Sequence, residues 1–223
     1  RYLTKAAYVV LGINMEGGKD ILGIWIGEHE SSKFWLNVLT ELKSRGVKDV
    51  YLFCVDGLAG FREAIEAVYP KAGIQRCIIH QIRYSTRFVS YKDIKELMAD
   101  LKLVYTAVTE DEALHNLMSF KEKWSKSYPS CVKTWEDNWD ILSTFFAYPA
   151  EIRKIIYTTN IIEGLNRQFR QITKNKPSFT NDESLRKMLY LASKNIVKRW
   201  TQRCRNWDVV LNYLKVMFED RTA

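Results

Sequence analysis

The period of the apolar residues changes at His80, and nothing else in the sequence constrains the fold as much. Up to Ile79 the apolar residues fall in short runs. Lys5 to Asn14 (KAAYVVLGIN) and Asp20 to Gly27 (DILGIWIG) flank the turn Met15-Glu16-Gly17-Gly18-Lys19 and predict a β-hairpin. Val50 to Val55 (VYLFCV) and Ile74 to Ile79 (IQRCII) predict short strands, the first a continuous apolar run of the kind buried on both faces. Between them lie two helical patterns: Ser31 caps one running to Arg45 and closed by Gly46, and Gly60 to Tyr69 is closed by Pro70. From His80 on, helical periodicity takes over in Asp93 to Val108, Asp111 to Tyr128, Val132 to Phe146, Asp182 to about Trp200, and Trp207 to Phe218. The order predicts an α/β fold, a mixed sheet flanked by helices, with a helical block placed after the last strand.

The segment Thr158 to Lys174 (TTNIIEGLNRQFRQITK) carries the most chemistry. Ile161, Leu165, Phe169 and Ile172 recur at helical spacing and predict a buried stripe, while Glu163, Arg167, Arg170 and Lys174 share the opposite face. One acid among three bases suits a polyanion whose metal needs a carboxylate ligand. A second interpretation stands beside it: with Asn160 as N-cap, Glu163 occupies the position of a capping-box acid. Asp56 has a similar duality. It ends a predicted strand in CVDGLAGF, where ligands gather in open α/β sheets and a carboxylate can hold a hard divalent cation, and Asp-Gly is also an ordinary turn.

Charge is distributed unevenly. Residues 151–223 hold 15 Lys and Arg against 7 Asp and Glu, whereas residues 1–150 hold 19 of each, so the whole net charge of +8 lies in the last third. Such asymmetry is the electrostatic footprint expected of a nucleic-acid surface. No apolar run reaches membrane-spanning length, and Arg1 to Lys5 does not open a signal peptide, so a soluble, cytoplasmic protein is expected. Cys54, Cys77, Cys131 and Cys204 are scattered, which predicts reduced, mostly buried thiols.

Several motifs in fixed order resemble the mutator-type transposases of bacterial insertion sequences: FWLNVLTELKSRGV (Phe34 to Val47), CVDGLAGF, CIIHQIR (Cys77 to Arg83), KWSKSYP (Lys123 to Pro129), YTTNIIEGLNRQ (Tyr157 to Gln168) and RNW (Arg205 to Trp207). The resemblance implies a ribonuclease H-like core with a DDE triad and an all-helical insertion before the glutamate. The expected organisation is a first part of the core over 1–81, a helical insertion over 82–146, and a second part with basic helices over 147–223. Asp56 is similar to the family's second aspartate and Glu163 to its glutamate. The first aspartate lies in the family on a strand ahead of the opening hairpin. The chain is therefore expected to be a fragment without it and without the amino-terminal DNA-binding region. Asp20, on the turn side of the hairpin, is expected to point away from the site.

The function the resemblance implies is cleavage at the element ends and transfer of the freed 3′-hydroxyl into target DNA. Mg²⁺, with Mn²⁺ as a substitute, would be held by Asp56, Glu163 and the missing aspartate, and Arg167, Arg170 and Lys174 would neutralise phosphates. Implied partners are the terminal inverted repeats, target DNA and further copies of the chain assembled on DNA, in a bacterial, nucleoid-associated setting without a membrane. A structure-specific nuclease and a non-catalytic DNA-binding or assembly module remain open alternatives. Cys77 and His80 form the family's CxxH pair. With no second pair to complete a zinc site, they are expected to be a packing thiol and an imidazole near the nucleic acid or the active site. His29 and His115 are expected at the surface, and Trp124, Trp135 and Trp139 in the core of the insertion.

Overall fold

The computed structural model describes residues 4–27, 31–57, 60–87, 89–157, 160–176, 178–219 and 221. The fold is mixed α/β and predominantly helical, and the chain groups into two compact units: Arg1–Tyr51, Ala59–Ala72 and Thr158–Ala223 in the first, Leu52–Leu58 and Gly73–Tyr157 in the second. Among the described residues the strands pair as two two-stranded sheets, one antiparallel and one parallel. No helix among them is long and apolar enough to cross a membrane.

The first unit opens with the hairpin of β1 (Ala6–Ile13) and β2 (Lys19–Gly27), whose register shifts at Val10/Leu11. Asp20 is exposed on β2, its carboxylate accepting from the Ile21 amide at 2.8 Å. Helix α1 (Ser32–Ser44) starts where expected, because the Ser31 hydroxyl accepts from the Phe34 amide. It stops at Gly46, whose φ of +105° only glycine adopts without strain. Helix α2 (Phe61–Val68) packs on α1, with Phe61 stacked on Trp35 at 4.2 Å between ring centroids.

The second half of this unit is helical. Leu165 and Phe169 of α9 (Asn160–Lys174) and Leu189 and Ile196 of α10 (Asp182–Val197) form a buried cluster against Val9, Leu11, Ile21 and Ile24 of the hairpin. The predicted stripe of α9 thus faces the sheet, and each fully buried aliphatic side chain contributes about 1.5–3 kcal/mol. Helix α11 (Trp207–Met217) is tied to the hairpin turn by the Trp207 indole, which donates to the Met15 carbonyl at 2.7 Å.

In the second unit β3 (Leu52–Val55) pairs in parallel with β4 (Gly73–Arg76). Three sequence expectations are corrected here. β3 is half-buried with Cys54 exposed, rather than buried on both faces, because β4 is its one strand partner among the described residues. The strand expected to run to Ile79 ends at Arg76, and α3 (Ile78–Thr86) begins at once. Its Ile78, Gln81, Ile82 and Ser85 form a buried helical face, and a short apolar run such as CII does not distinguish strand from helix by periodicity. The single helix expected over Val132 to Phe146 is broken into α6 (Pro129–Glu136), α7 (Trp139–Leu142) and a 3-10 turn, Ser143–Ala147. Asn138 makes the break, donating to the Thr134 carbonyl at 2.6 Å while accepting from Arg76.

Helices α4 (Tyr91–Thr106) and α5 (Glu110–Trp124) match their patterns to within a few residues, and α8 (Ala150–Tyr157) completes the unit. Trp124 and Trp135 are buried, as expected of core aromatics, their indoles donating to Asp100 at 2.8 Å and to the Ser85 hydroxyl at 2.7 Å. Trp139 is half-buried beside Phe146. His115 is exposed, and His29 lies outside the described residues.

Candidate active site

Asp56 follows the last residue of β3, and the chain is stitched to the start of α3 directly beside it. The Cys77 amide donates to the Val55 carbonyl at 2.7 Å, so the residue before α3 is anchored to the residue before Asp56. Cys77 and His80 lie three residues apart at the head of α3, a spacing that puts both side chains on one side of the first turn. His80 Nδ1 consequently stands 2.6 Å from Asp56 Oδ1 and 3.2 Å from Cys77 Sγ. Asp56 foremost, and then Cys77, hold the imidazole protonated, pushing its pKa from 6.5 up to about 10 against the opposing effect of burial.

Gly57 lets a neighbouring cation approach the same turn closely. A side chain there would begin 2.3 Å from the Arg76 guanidinium, which bonds to Asn138 and covers the turn. Desolvation lowers the pKa of Arg76, and a guanidinium remains charged throughout the accessible range. A cation therefore lies against the Asp-Gly turn from the β4 side. Leu58 and Ala59 of the CVDGLAGF motif lie outside the described residues.

Glu163 is half-buried in the first full turn of α9, where Glu163, Gly164, Arg167 and Gln168 line an open groove of about 360 Å³. Arg167, Arg170 and Lys174 are exposed, as the face pattern predicts. Asn160 is the first residue of the helix rather than its cap. The preceding Thr158 and Thr159, and the Asn160 side chain, lie outside the described residues.

The structure thus brings together Asp56, Cys77 and His80 in the second unit, and Glu163 with Arg167 in the first. Cys77 is buried, as expected of it, and the sequence does not reveal that the His80 imidazole binds Asp56. The third donor beside the CxxH pair is a carboxylate rather than a member of a second Cys/His pair. The available signal is that Cys-x-x-His begins where the neighbouring parallel strand ends, beside the end of β3. Arg76 also escapes sequence reasoning, because it sits in a segment that reads as plain strand. The four cysteines carry free thiols, two of them buried.

Hard and soft donors meet in this cluster, and α9 exposes three basic side chains on the helix that bears Glu163. Residues 1–203 match the family described as transposase, mutator family. A transposase for the insertion sequence element ISRM3 from Rhizobium meliloti is 42% identical over 218 residues, covering 97% of this chain and 54% of that protein. An ISRM3-like probable transposase from Sinorhizobium fredii is 43% identical over the same length and the same shares. A probable insertion-element transposase from Corynebacterium diphtheriae is 39% identical over 243 residues, covering all of this chain and 71% of that protein. The chain spans about half the length of the first two of these relatives. Matched along nearly its whole length by both the family and its individual members, the chain belongs to the mutator family of transposases.

Proposed function

We propose that this chain is part of the catalytic region of a DNA transposase, a metal-dependent polynucleotidyl transferase on a ribonuclease H-like core, in which Asp56 and Glu163 are two of three catalytic carboxylates. The observation that carries the proposal is the position of Asp56 within a chain of this family: a carboxylate at the C-terminal end of a strand, held at one oxygen by His80 and 46% exposed in its side chain.

That placement fits a hard divalent cation, which takes oxygen donors and keeps its remaining positions for water and phosphate. Mg²⁺, or Mn²⁺ in its place, would be held by Asp56, Glu163 and the aspartate that the family resemblance assigns to a strand ahead of β1, and would supply Lewis-acid polarisation of the phosphodiester and acidification of the attacking hydroxyl.

The chain's own residues do the rest. His80 fixes the rotamer of Asp56 through one oxygen and leaves the other for the ligand. Arg167, Arg170 and Lys174 lie exposed along the helix that bears Glu163, where they neutralise backbone phosphates without reading bases. Arg76 adds a cation beside the Asp56 turn. The substrates are the element ends and target DNA, processed by an assembly of several copies in the bacterial cytoplasm.

The test uses a protein carrying all three carboxylates. Asp56→Asn and Glu163→Gln should each abolish Mg²⁺-dependent cleavage and strand transfer while leaving DNA binding and the melting temperature unchanged. Gln keeps the size and polarity of the side chain and removes only its charge, so a Glu163→Gln protein that folds and cleaves would overturn the catalytic assignment. Mobility shifts without any nicking in the parent protein would leave a binding module only.

A further inference from the structure

We propose that Asp56, Cys77 and His80 form a site for one thiophilic divalent cation of the zinc class, and that its occupancy withdraws Asp56 from the hard-metal chemistry. Binding stands on the geometry of the three residues alone; the inhibitory consequence rests on the function proposed above.

The three donor atoms lie within 4.8 Å of one another. Donors around a tetrahedral zinc ion, with bonds of about 2.0–2.3 Å, stand roughly 3.3–3.8 Å apart. Side-chain rotations of ångström size therefore convert the present cluster into a coordination shell. The imidazole nitrogen already touches both other donors, so a cation would replace the proton that now bridges Nδ1 and Oδ1, and the thiol would give up its own proton to bind. The backbone frame is fixed beforehand by the Cys77–Val55 hydrogen bond and by the first turn of α3.

The donor set selects the ion. Sulfur and imidazole nitrogen favour zinc-class metals, whereas Mg²⁺ takes oxygen and gains nothing from Cys77 or His80. A thiolate and a carboxylate together balance the charge of a divalent ion, which offsets the unfavourable Arg76 guanidinium across the turn. Three protein ligands leave a fourth position for water on the solvent side, where the Asp56 and His80 side chains are 46% and 37% exposed.

The experiment titrates the reduced 223-residue chain with Co²⁺, whose spectrum reports thiolate ligation and tetrahedral geometry directly. The expected result is a sulfur-to-cobalt charge-transfer band with intense d–d bands, bleached by one equivalent of Zn²⁺ and unaffected by a large excess of Mg²⁺. Cys77→Ser should remove the charge-transfer band, and Asp56→Asn and His80→Gln should each weaken Co²⁺ binding by about tenfold or more. Cys54→Ser and Cys204→Ser, which alter thiols outside the cluster, should leave the spectrum as it is. Absence of the thiolate band, or its persistence in a Cys77→Ser chain whose circular dichroism shows it folded, overturns the site. In the longer protein, Zn²⁺ should block Mg²⁺-supported cleavage; cleavage unaffected by saturating Zn²⁺ overturns the inhibitory half. A cobalt spectrum in a protein that never cleaves would retain the site and remove the transposase function, and cleavage without a cobalt spectrum would do the reverse.

Discussion

His80 Nδ1 lies 2.6 Å from Asp56 Oδ1, so the carboxylate that follows β3 shares its charge with an imidazolium. The pair links the start of a helix to the end of a strand at the point where the proposed chemistry needs a fixed carboxylate. Its strength should vary with pH in a defined direction.

Because the folded-state pKa of His80 is raised from 6.5 to about 10, the pair's contribution is complete below the unfolded value and is lost as pH rises through the folded one. Both side chains are more than a third exposed, so the contribution is screened to about 1 kcal/mol or less. His80→Gln should be less stable than the parent near about pH 6 and level with it near about pH 10.5 in urea denaturation. A difference that grows with rising pH contradicts the pairing.

Gly57 lies under the Arg76 guanidinium, and the space for a methyl group is taken. Gly57→Ala should cost about 1–3 kcal/mol by forcing Arg76 away from Asn138. Adding Arg76→Ala should recover part of that loss, which a double-mutant cycle measures as a coupling between the two sites. Additive losses would mean that the guanidinium moves without penalty.

Changing Arg167 and Arg170 together to Ala should reduce the salt dependence of DNA binding by roughly one unit of slope for each phosphate no longer neutralised. Sequence preference should hardly move, because phosphate interactions carry little of it. An unchanged slope in the double variant would place α9 away from the DNA.

Trp135 donates to the Ser85 hydroxyl inside the helical unit, and the hydroxyl donates in turn to the Gln81 carbonyl at 2.6 Å. Trp135→Phe removes this buried hydrogen bond and leaves a small void, for a loss of about 1–3 kcal/mol in unfolding free energy measured by denaturant titration. DNA binding, assigned to α9, should be unaffected. Weakened binding with unchanged stability would mean that Trp135 stacks on bases rather than packing the core.

Much of the fold is legible in the sequence because its signals are local. The Ser31 cap, the Gly46 stop, the hairpin turn and the apolar stripe of α9 each depend on residues within a turn or two of one another. What escapes depends on tertiary context. Cys77-Ile78-Ile79 reads equally as strand or helix until Ile78 is seen packed inward with Ile82, and Asn138 breaks a helix because Arg76, far away in sequence, bonds to it. The candidate site divides in the same way. Asp56 and Glu163 can be named from motifs, and the exposed bases from spacing. The His80–Asp56 pair cannot, since it exists only once α3 starts beside the end of β3.

The two units are each assembled from separated stretches of chain, and this sets an order of events during synthesis. Everything the second unit needs has been translated once Tyr157 is made, whereas the first must wait for α9, α10 and α11 before its hairpin gains the cluster of Leu165, Phe169, Leu189 and Ile196. Loop-closure entropy rises only with the logarithm of length, so joining the hairpin to those late helices across Gly73–Tyr157 adds little to the free energy of the finished protein. In time the order matters: synthesis delivers the residues of the Asp56 cluster before the helix bearing Glu163, and delivers the hairpin well before the helices that cover its apolar face.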